Sequence, residues 1–377
     1  MPQVFRADAV FDGRQMHVGG MIAVENGRVA AILTADDQPR GRVQDLGPGV
    51  IAPAFLDLQV NGGGGRMVDG QTGPDDLARL CALHRGLGSA GILPTLITDR
   101  PEAVNRVIGA GVAAAKAQVP GFLGLHLEGP HLDVRRKGAH DPALIRPMSD
   151  ADLAILCQAA ADLPALMVTL APASVTPAQI AALTAAGVIV SLGHSDCTRD
   201  EARAAMAAGA TCTTHLFNAM SQIGNREPGL AGAVLSGPGF AGLIADGVHV
   251  DVDVMRLALA ARAEGIFLVS DCMAFAGSEL TEVTLGGRRI LRRDGRLTLE
   301  DGTLAGADLT LDQAVGVLVE RVGIAPERAL AMASALPARV IGQQDRHGHL
   351  APGRDADFVH LGPDWRLRGA WYGGEPA

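Results

Sequence analysis

Three side chains, Glu128, His194 and His215, stand at the ends of apolar runs far apart in the chain, and Asp271 ends a fourth. One carboxylate and two imidazoles suffice as a three-ligand set for a catalytic divalent ion that keeps a position open for water. An aspartate facing that position is the proton acceptor such a water needs. The stretch FLGLHLEGPHLDVRRKGAHD, residues 122–141, alternates Leu123, Leu125 and Leu127 with Gly124, His126 and Glu128, the period of a strand. Gly129-Pro130 ends it, because proline has no amide hydrogen with which to continue a ladder. His126 then lies beneath Glu128 on the same face, in a supporting place, and a basic loop delivers His140. One histidine at a strand end is more often a hydrogen-bonded structural residue than a ligand. Four ionisable groups at the same end of four strands are much harder to explain by packing.

The elements that must hold these groups alternate along the chain. From Val50, VIAPAFLDLQ reads as an apolar strand ending in Asp57, Gln59 and Asn61. Strands follow at 91–97, up to Glu128, and at 165–170, 187–193, 210–214, 241–245 and 266–270. Helices are predicted at 74–87, 101–118, 149–161, 176–186, 198–208 and 251–263, with Thr176-Pro177 and the Thr198…Glu201 capping box as start signals. Eight near-continuously apolar strands call for a parallel sheet covered by helices, and eight is the number that closes a (β/α)8 TIM-type barrel. Active sites of such barrels lie at the carboxyl ends of the strands, where the candidate groups fall. Alternation gives Val188, Val190, Leu192 and His194 one inward row, and likewise Thr211, Thr213 and His215, and Phe267, Val269 and Asp271.

Residues 1–50 are short β runs broken by turn pairs such as Asn26-Gly27, a two-residue hairpin signal. Residues 344–377 return to β, so a small β-sandwich built from both chain ends is expected to flank a barrel over 51–343. Asp294-Gly295 and Asp301-Gly302 mark hairpins inserted after the last strand, and two helices near 308–322 and 326–340 finish the barrel. The 377 residues carry a formal net charge of −9, which argues against a nucleic-acid surface. No window reads as a membrane span and the first residues lack the apolar run of a signal peptide. Five cysteines without CxxC spacing read as reduced thiols. A cytoplasmic protein is expected.

Two absences narrow the metal chemistry. The His-x-His that many barrel hydrolases carry at the end of strand one is replaced by Asp57-Leu58-Gln59, and the only lysines, Lys116 and Lys137, fall in a helix and a loop. A binuclear site bridged by a carbamylated strand-end lysine is therefore not expected. One divalent ion is, with zinc the first choice and iron, cobalt or manganese as alternatives. Gln59 would hold a water or the substrate near the vacant second position.

The segments DLQVNGGGG, HLEGPH with RRKGAHDP, LGHSDCT, THLFNAM, NREPGL, ADGVHV, LVSD and GTLAGADLTL, in this order, resemble the N-acetylglucosamine-6-phosphate deacetylases of the amidohydrolase superfamily. The resemblance implies hydrolysis of the acetamide of N-acetyl-D-glucosamine 6-phosphate to glucosamine 6-phosphate and acetate. It implies Glu128, His194 and His215 as metal ligands, Asp271 as catalytic acid/base, and His140 as the residue that helps polarise the amide carbonyl. It further implies substrate contacts at Ala139, Asn218, Ala219, Arg226, His249 and the Leu304-Ala305-Gly306 turn, with Arg226 reaching a neighbouring subunit's phosphate in a homodimer. Deacetylation of another N-acetylhexosamine, phosphorylated or not, is the nearest alternative. A dihydroorotase-like enzyme fits less well, because it usually needs the missing His-x-His or lysine.

Overall fold

The computed structural model describes residues 2–377. Eight parallel strands form one sheet in sequential order: β1 (Phe55–Val60), β2 (Ser89–Ile97), β3 (Leu125–Glu128), β4 (Leu166–Leu170), β5 (Ile189–Leu192), β6 (Cys212–Thr213), β7 (Phe240–Leu243) and β8 (Ile266–Leu268). The seam between β1 and β8 is closed just beyond the strands. There the Asp271 amide donates to the Gln59 carbonyl at 3.1 Å and the Asn61 amide to the Cys272 carbonyl at 2.9 Å. Below these bonds the Asp57 carboxylate accepts from the Ser270 amide at 3.2 and 3.3 Å, so a side chain replaces one rung of the ladder. Burial pushes Asp57 up to about 7.

Helices α1 (Pro74–Gly86), α2 (Pro101–Lys116), α3 (Asp150–Asp162), α4 (Pro177–Ala185), α5 (Arg199–Ala207), α6 (Gly229–Ser236) and α7 (Val252–Ala261) link the strands. The start signals read from the sequence are present: Thr176 and Thr198 each accept from the amide three residues on, in reciprocal capping boxes with Gln179 and Glu201. Helix α6 was not expected. Its sequence, GLAGAVLS, has no polar face and no side-chain cap, so it carries neither the periodicity nor the start signal of a surface helix. The expected helix over 308–322 is α8 (Leu311–Gly316) running into a wider π turn over Val317–Val322, and that over 326–340 is divided into α9 (Pro326–Ala333) and α10 (Ala335–Val340) at Ser334.

The single strand expected from Val50 is in fact two. Val50–Pro53 pairs antiparallel with Phe358–Leu361 in a six-stranded sheet built from both chain ends, and β1 begins only at Phe55. Ala54 marks the switch, its amide donating to the Asp357 carbonyl while the next amide, of Phe55, donates to Gly88 in the barrel. A four-stranded sheet in the order Arg28–Leu33, Met21–Glu25, Gln3–Arg6, Arg42–Asp45 accompanies it. Phe5, Ile22, Ile51, Phe358 and Trp371 belong to one buried cluster, with Phe358 stacked on Trp371 at 5.1 Å between ring centroids. Phe358→Ala is expected to destabilise this unit by about 3–5 kcal/mol. Thermal unfolding checks it; a melting temperature equal to the parent's would show that the cluster does not hold the unit together.

Between β8 and α8 a three-stranded antiparallel insertion (Glu282–Leu285, Arg288–Arg293, Arg296–Leu299) turns at Asp294-Gly295, as expected. Its buried face packs Ile290, Leu297 and Leu299 on Met273 and Phe275, just past Asp271. The insertion therefore stands over the carboxyl ends of the barrel strands.

Candidate metal centre and active site

Glu128, at the end of β3, meets the two histidines inside the barrel mouth. His194 Nε2 lies 3.2 Å and His215 Nε2 3.0 Å from Glu128 Oε1, and the two ring nitrogens are 3.0 Å apart. All three residues are buried. Donors at 2.0–2.1 Å from a tetrahedral zinc stand roughly 3.3 Å from one another, so this triangle is the size such an ion requires. The His194 Nδ1–H donates to the Arg136 carbonyl at 2.8 Å, which leaves the Nε2 lone pair aimed at the centre. Two imidazole nitrogens and a carboxylate oxygen in mutual contact are short of protons or of a cation. The donor set thus fits a divalent ion.

Burial pushes Glu128 up, but the adjacent His194 and His215 rings outweigh it and hold the carboxylate well below its usual range. Asp271 goes the other way, to about 6, through burial and then the neighbouring charge of Glu128. Two neighbouring buried acids driven apart in this way suit a division between a standing anion and a group able to take up a proton. Asp271 Oδ1 accepts from Asn61 Nδ2 at 2.7 Å and from Gln59 Nε2 at 3.1 Å. Both bonds fall on Oδ1, which leaves Oδ2 to serve the reaction. Gln59 Nε2 also lies 3.2 Å from Glu128 Oε1, so this amide bridges Glu128 and Asp271.

The polar pair at the mouth of β1 is therefore Gln59 and Asn61, not Asp57 and Gln59, because Asp57 is one layer deeper at the seam. A second correction concerns parity. Ser191 and Thr214, not Leu192 and Thr213, point into the barrel, where Ser191 Oγ and Thr214 Oγ1 are 2.7 Å apart and Thr214 Oγ1 is 2.6 Å from Thr169 Oγ1 across the interior. Simple alternation would send His194 and His215 outward. Each instead adopts a left-handed backbone, with φ of 45° and 29°, and turns back to the centre. Asp271 keeps the expected inward row, since the register from Ser191 through Cys212 and Phe240 puts Phe267 on the same face, and its backbone is left-handed too, with φ of 50°. Non-glycine residues rarely do this, and strain of this kind gathers at functional sites.

His140 lies beside the triangle, its Nε2 3.9 Å from Glu128 Oε2. The Thr98 amide donates to its Nδ1 at 3.3 Å, so the ring proton is on Nε2, facing the centre. Burial, then the charge of His194, holds His140 well below the usual imidazole range. The site thus has a neutral N–H donor beside its ligands. Thr98, which sets this tautomer, had no signal in the sequence beyond its place at the end of β2.

A cavity of about 530 Å³ opens over these groups. Glu128, Ala139, His140, His194, His215, Asn218, Ala219, His249, Asp271 and the Leu304-Ala305-Gly306 turn all line it, so most of the expected site residues come together. Gln59 is buried behind the wall, and Arg226 is exposed outside the cavity. Arg135 and Arg136 line the mouth but are paired with Asp133 and Asp196. Lys137 lines it with no carboxylate within salt-bridge distance among the described residues. The insertion adds Leu285 and Thr303, and its Arg288 donates to the Ala139 carbonyl at 2.5 Å, fastening the insertion to the loop that carries His140.

A parallel eight-stranded barrel with an acid, two histidines and a buried aspartate at its mouth is the architecture of metal-dependent barrel hydrolases. The chain belongs to the amidohydrolase family, whose model matches residues 50–375. It is 37% identical over 358 residues to the N-acetylgalactosamine-6-phosphate deacetylase of Shewanella sp. (strain ANA-3), covering 94% of this chain and 89% of that protein. It is 33% identical over 355 residues to the N-acetylglucosamine-6-phosphate deacetylase of Haemophilus influenzae, covering 93% of each. The crystal structure of N-acetylglucosamine-6-phosphate deacetylase from Pasteurella multocida superposes with a TM-score of 0.94 at 32% identity and full coverage of both chains.

Proposed function

We propose that this protein hydrolyses the acetamide of N-acetyl-D-glucosamine 6-phosphate to glucosamine 6-phosphate and acetate. The observation that carries this reading is the placement of Asp271 and His140 on one cavity with the Glu128, His194, His215 triangle, in a chain similar over nearly its whole length to amino-sugar-phosphate deacetylases. Glu128, His194 and His215 hold one divalent ion, zinc by preference, which when bound supplies Lewis acidity toward water and carbonyl oxygen. Asp271 takes the proton of the attacking water through Oδ2, while Gln59 and Asn61 keep its other oxygen fixed. The His140 Nε2–H donates to the amide oxygen as negative charge gathers there. Asp271 then returns the proton to the nitrogen, which would otherwise have to leave as a very poor anion.

The sugar fills the cavity between the Asn218-Ala219 turn, His249 and the Leu304-Ala305-Gly306 turn. Its phosphate lies at the mouth, near Lys137. The exposed Arg226, which has no ion pair among the described residues, completes the anion site of a second copy in a cytoplasmic homodimer. Arg226→Ala is expected to raise KM for the phosphorylated sugar about tenfold or more with little change in kcat, because contacts remote from the cut bond act mainly through binding. Equal KM values for parent and variant would remove Arg226 from the site.

A second reading, hydrolysis of N-acetylgalactosamine 6-phosphate, is favoured by the similarity to the Shewanella protein. Acetate release from the two 6-phosphates and from both free sugars, measured beside the metal content, separates the readings. Preference for the glucosamine 6-phosphate derivative and loss of activity on chelation are expected. Activity that survives complete metal removal would overturn the proposal.

A further inference from the structure

One layer below the metal triangle, the inward polar side chains of β3 to β6 form a single hydrogen-bonded chain. Ser191 Oγ is 2.7 Å from Thr214 Oγ1, which is 2.6 Å from Thr169 Oγ1, which is 2.7 Å from His126 Nε2. The other ring nitrogen, His126 Nδ1, lies 3.0 Å from the Leu58 carbonyl. A carbonyl only accepts, so Nδ1 carries the proton and, in the neutral ring, Nε2 accepts from Thr169. Thr169 must then receive from Thr214, and Thr214 from Ser191. Every donor direction is determined.

The placement of these four residues follows the ligands. His126 is two residues before Glu128 on the same strand, Ser191 is three before His194, and Thr214 immediately precedes His215. Strand β4 carries no ligand, yet its Thr169 is the central link that joins the ligand-bearing strands, and the chain ends on Leu58, beside Gln59. Space is reserved for it as well. A Cβ at Gly193 would stand 2.8 Å from Thr169 Cγ2 and 2.9 Å from Thr214 Cβ, so the residue before His194 leaves room for both threonines. Buried hydroxyls in an apolar barrel are costly unless all are satisfied, and a fully satisfied network rigidifies what it joins.

We propose that this hydroxyl chain is a positioning layer for the metal triangle, with Thr169 a positioning residue that sets metal affinity without touching the ion. The inference rests on the reading that Glu128, His194 and His215 hold the metal. Thr169→Val keeps the shape but leaves His126 Nε2 without its donor and the Thr214 hydroxyl without its acceptor. Thr169→Ser keeps both bonds.

Zinc dissociation constants measured by competition with a chromophoric chelator, together with the melting temperatures of the metal-free proteins, test the proposal. Thr169→Val is expected to weaken zinc binding about tenfold or more, and Thr169→Ser to stay within about threefold of the parent. The proposal is overturned by parent-like zinc affinity in Thr169→Val, or by an equal loss in Thr169→Ser. A loss that merely tracks a lowered metal-free melting temperature also overturns it. If Thr169→Val does not fold, Ser191→Ala decides, since it removes only the terminal donor. Weaker zinc binding there supports the layer, and unchanged binding overturns it. A parent protein that binds no zinc at all would instead defeat the metal reading itself.

Discussion

Asp271→Asn is expected to lower kcat by roughly 10²–10⁴-fold while the protein keeps its full metal content. Asparagine preserves the shape of the side chain and can still accept from Asn61 and Gln59 through its oxygen, but it cannot take a proton from water. It also tolerates the left-handed backbone that position 271 adopts, whereas alanine there would add strain unrelated to proton transfer. The metal donors lie on other strands, so their triangle is not dismantled. The loss corresponds to about 3–5 kcal/mol of transition-state stabilisation, all of it in the chemical step. Steady-state kinetics on the 6-phosphate substrate and metal analysis of the same preparation give the answer. Turnover within tenfold of the parent would mean that another group carries the proton, and simultaneous loss of metal would make Asp271 a ligand.

Much of this site was legible in the sequence because parallel barrel strands are apolar almost throughout, so an ionisable residue at the end of one stands out. Glu128, His194, His215 and Asp271 were found in this way, and the structure brings them to one cavity. The reason first given for His194 and His215 did not hold. Alternation assigned them to the inward row, whereas the inward residues below are Ser191 and Thr214, and a left-handed turn at each histidine redirects it. Backbone sign leaves no trace in a pattern of apolar and polar letters when the residue is not glycine. The same blindness to local chain direction merged Val50–Pro53 with β1, since both are apolar and only their hydrogen-bond partners differ. Helix α6 was invisible for a compositional reason, because GLAGAVLS has a single polar residue and so no polar stripe to set against an apolar one. Asn61 was named at the end of β1 but given no role, and Thr98 and Thr169 were passed over, because each acts on a residue distant in sequence and such pairs are found only in space.

Glu128→Gln is expected to abolish activity, by more than about 10³-fold, through loss of the metal. The change removes one negative charge from a buried site whose other two donors are neutral imidazoles, so it removes the Coulombic attraction that holds a divalent ion in a low-dielectric cavity. The variant should come off the column nearly metal-free and stay inactive when zinc is added back at stoichiometric amounts. Chelator-treated parent, in contrast, should recover. Stability should fall as well. In the metal-free parent the His194 and His215 rings hold the Glu128 carboxylate well below its usual range against burial, and Glu128 in turn raises His215 above the usual imidazole range. A charge favoured by its folded surroundings contributes stability, and removing one partner of a buried charged set is destabilising. The metal-free variant is therefore expected to melt below the metal-free parent, which itself melts below the zinc-loaded parent that binding stabilises. A metal-free variant that melts at or above the metal-free parent would identify Glu128 as a residue retained for the ion at the expense of the empty fold.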